Sequence, residues 1–289
     1  MTYTLENGEA PLRAEVVDKT IKGFAENSYT FKQAVTVTTT NAWKNVYYRE
    51  NPSALTAPST NAFSGLSRGA NFPQATPTWE KAENWISKYG AEDNIFWEDI
   101  LTNDIDIQAR VLFRIAEAVV KQVDTDIWNG LTENLTPVNI QTFTITNTYD
   151  WGRASSAVID DLMHAKQLIS EYNYPTNNLM CFISPLDHRS IVNYLASKGA
   201  QFPTVGEDMA TNGKVGKIAG IQLIESNNVS ASNALVVVPK LCATWREAVS
   251  LSTQTITDPY KSVLIRAVEM GTLQLTDPKA VVLIRGTQD

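Results

Sequence analysis

The chain has 289 residues, 43% hydrophobic and 19% charged, which provides for a sizeable core and one or two domains and excludes wholesale disorder. A net charge of −7 excludes a surface that wraps nucleic acid through clustered Lys and Arg, although a wall that merely encloses DNA tolerates it. Cys181 and Cys242 sit in apolar runs and predict buried free thiols, no signal peptide is expected, and no apolar run approaches the roughly 20 residues that cross a bilayer.

Residues 1–32 mix charges of both signs, and Leu12, Val16, Val17, Ile21 and Phe24 recur at helical spacing. This segment is either an arm that docks elsewhere or a helix on the domain's own surface. Residues 33–50 alternate β-branched and aromatic side chains on both faces and predict one long strand. Residues 51–78 carry Pro52, Pro58, Pro73 and Pro77 among small polar residues, a connection well beyond the ~12–15 residues usual in compact domains. Arg68, at its tip, is a lone cation that is either solvated or paired with an acidic patch on a neighbour.

A return strand is expected within 79–97. Four of the seven tryptophans, Trp43, Trp79, Trp85 and Trp97, then fall in one hairpin. A two-stranded ribbon cannot bury so much aromatic surface on itself. The surface belongs either to the chain's own core or to an arm, including Tyr47, that docks on another subunit.

Residues 104–129 give the strongest helical pattern, with Leu112, Ile115, Ala116, Val119, Val123 and Ile127 on one face. Arg110, Arg114, Glu117, Lys121 and Asp124 form the polar face. Asn103 or Asp104 is the expected N-cap and Gly130 the expected stop. Strand signal returns over 135–149. A helix over 154–174, a strand over 179–184 and a helix from Pro185 to Gly199 predict an α/β layer. The last third reads as strands at 221–225, 235–238, 249–256, 263–268, 272–275 and 281–284, parted by turns such as Asp258-Pro259 and Asp277-Pro278.

Chemistry-bearing patterns are sparse. Asp160, Asp161 and His164 share helical spacing but read as a solvated face rather than the three or four converging ligands a metal needs. Ser184 and His188 lack a nucleophile-elbow context. Gly213 to Gly220 resembles a phosphate loop only until its ending, which lacks Gly-Lys-Ser/Thr and leads into a strand. No cofactor, metal or catalytic residue is predicted.

From Gly216-Lys217-Ile218-Ala219-Gly220 through Ile221 to Val229, then Ala234 to Pro239 and Asp277 to Ile284, the chain resembles the major capsid proteins of tailed double-stranded DNA phages. The order of elements agrees over most of residues 30 to 289. The resemblance implies an α+β fold of the Hong Kong 97 type. It implies an N-terminal arm at 1–32 and an extended β-hairpin loop at 33–102 that lies across the adjacent subunit. A spine helix at 103–130 would fall within a peripheral first part at 103–149, followed by an axial domain at 150–242 and a second peripheral part at 243–289. Trp43, Tyr47, Arg68, Trp79, Trp85 and Trp97 would make inter-subunit contacts. Glu207, Asp208 and Lys214 would lie in a loop facing a capsomer axis.

The implied role is self-assembly through pentamers and hexamers into an icosahedral shell around DNA, without sequence-specific binding and away from membranes. Such a protein resides in the virion and is assembled in the host cytoplasm. Only ~30 residues precede the extended loop, fewer than the cleaved scaffolding segment often found in the family. Scaffolding would then be a separate protein or unnecessary; portal and decoration proteins are further possible partners. An encapsulin-like compartment enclosing enzymes, and a hydrolase around His164 or His188, are the alternatives.

Overall fold

The computed structural model describes residues 29–50, 79–98, 105–146, 148–153, 155–197, 216–259 and 261–288, together with Lys19, Ile21, Lys22, Ala25, Arg68 and Gly69. Its strands are β1 (Thr36–Thr39), β2 (Lys44–Glu50), β3 (Trp79–Trp85), β4 (Ser87–Phe96), β5 (Gln141–Thr144), β6 (Met180–Ile183), β7 (Lys217–Ile218), β8 (Ile221–Glu225), β9 (Asn233–Val237), β10 (Ala243–Asp258), β11 (Ser262–Leu275) and β12 (Val281–Arg285). The helices are α1 (Ile105–Leu131), α2 (Val158–Glu171) and α3 (Pro185–Ser197).

Among the described residues the strands form three sheets. A four-stranded sheet runs β1-β10-β11-β4, a six-stranded sheet runs β5-β12-β9-β6-β8-β7, and β2 and β3 form a ribbon. Strand β10 has 16 residues and β11 has 14, so their antiparallel pair extends about 50 Å. Along β11 the burial alternates: Ile265, Ala267 and Glu269 are buried, while Leu264, Arg266, Val268 and Met270 are half-exposed. Helix α1 packs on β11 and β4, and at 27 residues it is about 40 Å long.

A continuous core joins the two larger sheets. Phe31, in a 3-10 turn, sits at the junction, its ring 5.4 Å from Trp128 on α1 and 4.7 Å from Phe182 on β6. Ile21 and Ala25 are buried helical residues in this core, so that part of the N-terminal segment serves the chain's own domain. Leu12, Val16, Val17 and Phe24 lie outside the described residues.

Several expectations change. The long strand over 33–50 is two strands in different sheets: β1 pairs parallel with β10, and β2 pairs antiparallel with β3. Residues 40–43 make the break, where Thr40 donates its hydroxyl to Asn45 at 2.9 Å. Only the first part of the return segment, β3, completes the hairpin; β4 instead joins β11 from Ser262↔Phe96 to Gly271↔Ser87. The two strands expected at 263–268 and 272–275 are one, because Met270 and Gly271 stay paired with Lys88 and Ser87.

Gly130 does not end the spine helix, which continues to Leu131. A Cβ at Gly130 would lie 2.5 Å from Leu273 Cδ2, so this glycine permits close approach of helix to strand. Asn103 and Asp104 lie outside the described residues. The segments 131–149 and 243–289 do not form a sheet apart from 150–242. Strand β12 inserts between β5 and β9, so both segments contribute to the six-stranded sheet. The parallel β5–β12 pairing is a long-range closure that local periodicity does not encode.

Candidate assembly surface

The β2–β3 ribbon has a fixed register, from Lys44↔Trp85 to Glu50↔Trp79. Directly opposed residues share a face, and faces alternate along the strand. One face therefore carries Lys44, Val46 and Tyr48 with Trp85, Glu83, Lys81 and Trp79. The other carries Asn45, Tyr47 and Arg49 with Asn84, Ala82 and Glu80.

The second face meets the body of the subunit. The Asn84 side-chain amide donates to the Leu273 carbonyl, and Tyr47 hydrogen-bonds the Leu275 backbone. Burial is the main reason the Tyr47 phenol is held above its ordinary range. Arg49 Nε donates to Glu80 at 3.0 Å, and its Nη1 lies 3.9 Å from Glu133.

The first face points outward. Trp79, Trp85 and Tyr48 are 60%, 59% and 63% exposed, and Trp43, in the bend before β2, is 61% exposed. Val46 adds aliphatic surface. Glu83 takes Lys44 at 2.5 Å and Lys81 at 3.0 Å, which holds its carboxyl below the usual range. The Lys44 ammonium also lies 5.5 Å from the Trp85 ring centre. The face is thus an aromatic ladder beside a charge row in which one carboxylate is paired with two ammonium groups. A surface of this kind binds by burying rings rather than by attracting net charge.

Trp97 is separate from this cluster. It follows β4 at the far end of the long sheet, 39% exposed, and its amide donates to Lys261 at 3.0 Å. Arg68 is an exposed turn residue beside Gly69. Glu207, Asp208 and Lys214 lie outside the described residues. Sequence reasoning placed Tyr47 with the tryptophans, whereas it faces the subunit body. It passed over Tyr48 and Val46, which the β2–β3 register would have identified.

The sites considered for chemistry have structural roles. The Ser184 hydroxyl donates to Asp187 at 2.8 Å and accepts the Asp187 amide at 3.1 Å, a reciprocal cap on the first turn of α3. His188 Nδ1 lies 3.3 Å from Glu225, and the His164 ring packs 4.6 Å from that of Phe143. The Gly213–Gly220 stretch ends in a tight β7–β8 hairpin, with Ala219 and Gly220 both at positive φ. Among the described residues, no group of three or more His, Cys, Asp or Glu is placed to hold a metal ion, and no helix is long and apolar enough to cross a membrane.

A family model described as phage capsid protein matches residues 86–284, a span that takes in β4 to β11, nearly all of β12, and α1, α2 and α3, and leaves out β1 and the β2–β3 ribbon. The chain belongs to the phage capsid protein family. No curated protein matches it by sequence. Among solved structures, the capsid of cyanophage P-SCSP1u is similar with a TM-score of 0.68 and 14% identity, over 99% of this chain and 92% of that one. Mycobacterium phage Che8 gives 0.63 and 15%, over 91% and 93%. A virus-like particle from Pyrococcus furiosus gives 0.63 and 11%, over 94% and 98%. This phage capsid protein has the α+β fold of the Hong Kong 97 type. It is a structural subunit that assembles with copies of itself into the shell of a virion.

Proposed function

We propose that this chain is the major capsid protein of a tailed double-stranded DNA phage, closing through pentamers and hexamers into an icosahedral shell. The observation that carries the reading is the aromatic ladder, Trp79, Trp85, Tyr48 and Val46, turned outward on a ribbon whose other face is seated on its own subunit. A head-to-tail ring needs each subunit to give one patch and receive another, and an outward ribbon is such a patch. Trp43 flanks the contact, while Tyr47, on the opposite face, helps to seat the ribbon that carries it. Phe96, Trp97 and Ile256 present a second exposed apolar group at the far end of the long sheet.

In this reading the β2–β3 ribbon belongs to the extended loop. The sheet β1-β10-β11-β4 with α1 is the peripheral part, and the six-stranded sheet with α2 and α3 is the axial part. Glu207, Asp208 and Lys214 face the capsomer axis, and Arg68 contacts a neighbour. The shell performs no catalytic step and encloses DNA without reading its sequence, as the net charge of −7 suits. It is assembled in the host cytoplasm, with scaffolding, portal and decoration proteins as candidate partners.

Electron microscopy of the protein expressed alone tests this. Closed shells or capsomer rings are expected; a monomer at high concentration would overturn the proposal. Shells purified from cells loaded with an enzyme and free of DNA would point to an encapsulin-like compartment instead.

A further inference from the structure

Glu133, Asn134 and Leu135, just beyond the spine helix, have φ of 49°, 54° and 58°. None is glycine, and three successive left-handed residues persist only where their surroundings hold them. The Glu133 carboxylate accepts the amides of Val138 at 2.6 Å and Asn139 at 2.9 Å, and the Asn139 side-chain amide at 2.6 Å. Arg285, at the end of β12, donates to the Leu135 carbonyl. The same carboxylate lies 3.9 Å from Arg49 of the ribbon, and both side chains are largely shielded, at 16% and 14% exposure.

Besides Arg49, the ribbon's seat has hydrogen bonds from Asn84 to Leu273 and between Tyr47 and Leu275, with Tyr47 and Ala82 half-buried. Neutral hydrogen bonds of this kind contribute about 0.5–1.5 kcal/mol each, so these two alone fix the ribbon's angle weakly.

We propose that Glu133 is the positioning residue of the assembly arm: anchored in the left-handed turn after the spine helix, it latches the ribbon through Arg49 and sets the angle at which the aromatic ladder is presented. Both carboxylate oxygens are engaged by residues 138–139, so Glu133 stays in place and the ribbon is the part that moves. The inference rests on the shell reading only for its consequence in assembly; the latch itself belongs to the single subunit.

The test is amide exchange on the unassembled chain, comparing wild type with Arg49→Met, Arg49→Lys and Glu133→Gln. In Arg49→Met and Glu133→Gln, exchange over 44–50 and 79–85 is expected to rise about tenfold, with β6, β9 and β12 unchanged. Arg49→Lys, which keeps the charge, is expected to restore most of the protection. The same two latch variants should give shells of mixed size under the microscope. Wild-type protection of the ribbon in Arg49→Met would overturn the latch, as would exchange rising equally throughout the chain in every variant. Wild-type protein that forms no shells would defeat the shell reading while leaving the exchange result decisive for the latch.

Discussion

At Asp124, helical spacing predicts the polar face of α1, yet the side chain is fully buried. It accepts the backbone amides of Thr30 at 2.8 Å and Phe31 at 3.3 Å, and so fixes the turn that carries Phe31 into the core. Burial pushes its pKa up to about 6, against the pull of those amides and of Lys32. The folded chain therefore holds this proton more tightly than the unfolded chain. Between the ordinary value of 3.8 and about 6, its contribution to stability falls as pH rises. Denaturation midpoints measured across that window should slope downward, and Asp124→Asn should flatten the slope; an unchanged slope would remove Asp124 as its source. Asp124→Ala, which strands both amides, is expected to cost about 1–3 kcal/mol at neutral pH. Gly271 is equally constrained, since a Cβ there would lie 2.4 Å from the buried Trp245 ring. Gly271→Ala should lose about 1–3 kcal/mol in chemical denaturation, because a rigid indole cannot yield as a flexible chain end can.

The ribbon is the element on which stability and assembly separate. Trp79 and Trp85 are well exposed on the single subunit, so replacing both with Ala should change its unfolding free energy by no more than about 0.5 kcal/mol per site. The same double variant should raise the concentration needed for shells at least tenfold by sedimentation, as expected when aromatic anchors are removed from an interface. A large stability loss with normal assembly would mean that the rings serve the subunit's own core. How far these elements are legible in the sequence follows from the range of the contacts that make them. The 3.6-residue repeat of α1 and the apolar runs of β6, β8 and β12 are local signals, and the expected elements lie close to the observed ones. The break between β1 and β2 is not local, because β1 is drawn to β10 some two hundred positions away by the pairing of Thr36 with Thr244. Gly130 looks like a helix stop until Leu273 is seen beneath it. The aromatic composition of the ribbon was legible at once. Which rings turn outward needed the register Tyr48↔Lys81, and the anchoring role of Glu133 needed both the reversed turn and Arg49.

At the scale of the whole molecule, each subunit carries a formal charge of −7, so copies repel one another as they approach. Raising ionic strength from 0.01 to 0.15 M shortens the screening length from about 30 to about 8 Å. If aromatic burial dominates the contacts, light scattering at fixed protein concentration should show faster and fuller assembly in the higher salt. Slower assembly would assign the interfaces to ion pairs. The two thiols add a means of timing how such a particle comes apart. Cys181 lies within the six-stranded sheet and Cys242 at the foot of the long β10–β11 pair, both fully buried. Burial raises both pKa values, Cys242 to about 12 and Cys181 further, so neither forms the reactive thiolate while its surroundings stay closed. Exposed to an alkylating reagent, an intact particle stays unmarked, and whichever cysteine is tagged first dates the earliest breach to the sheet or to the root of the hairpin.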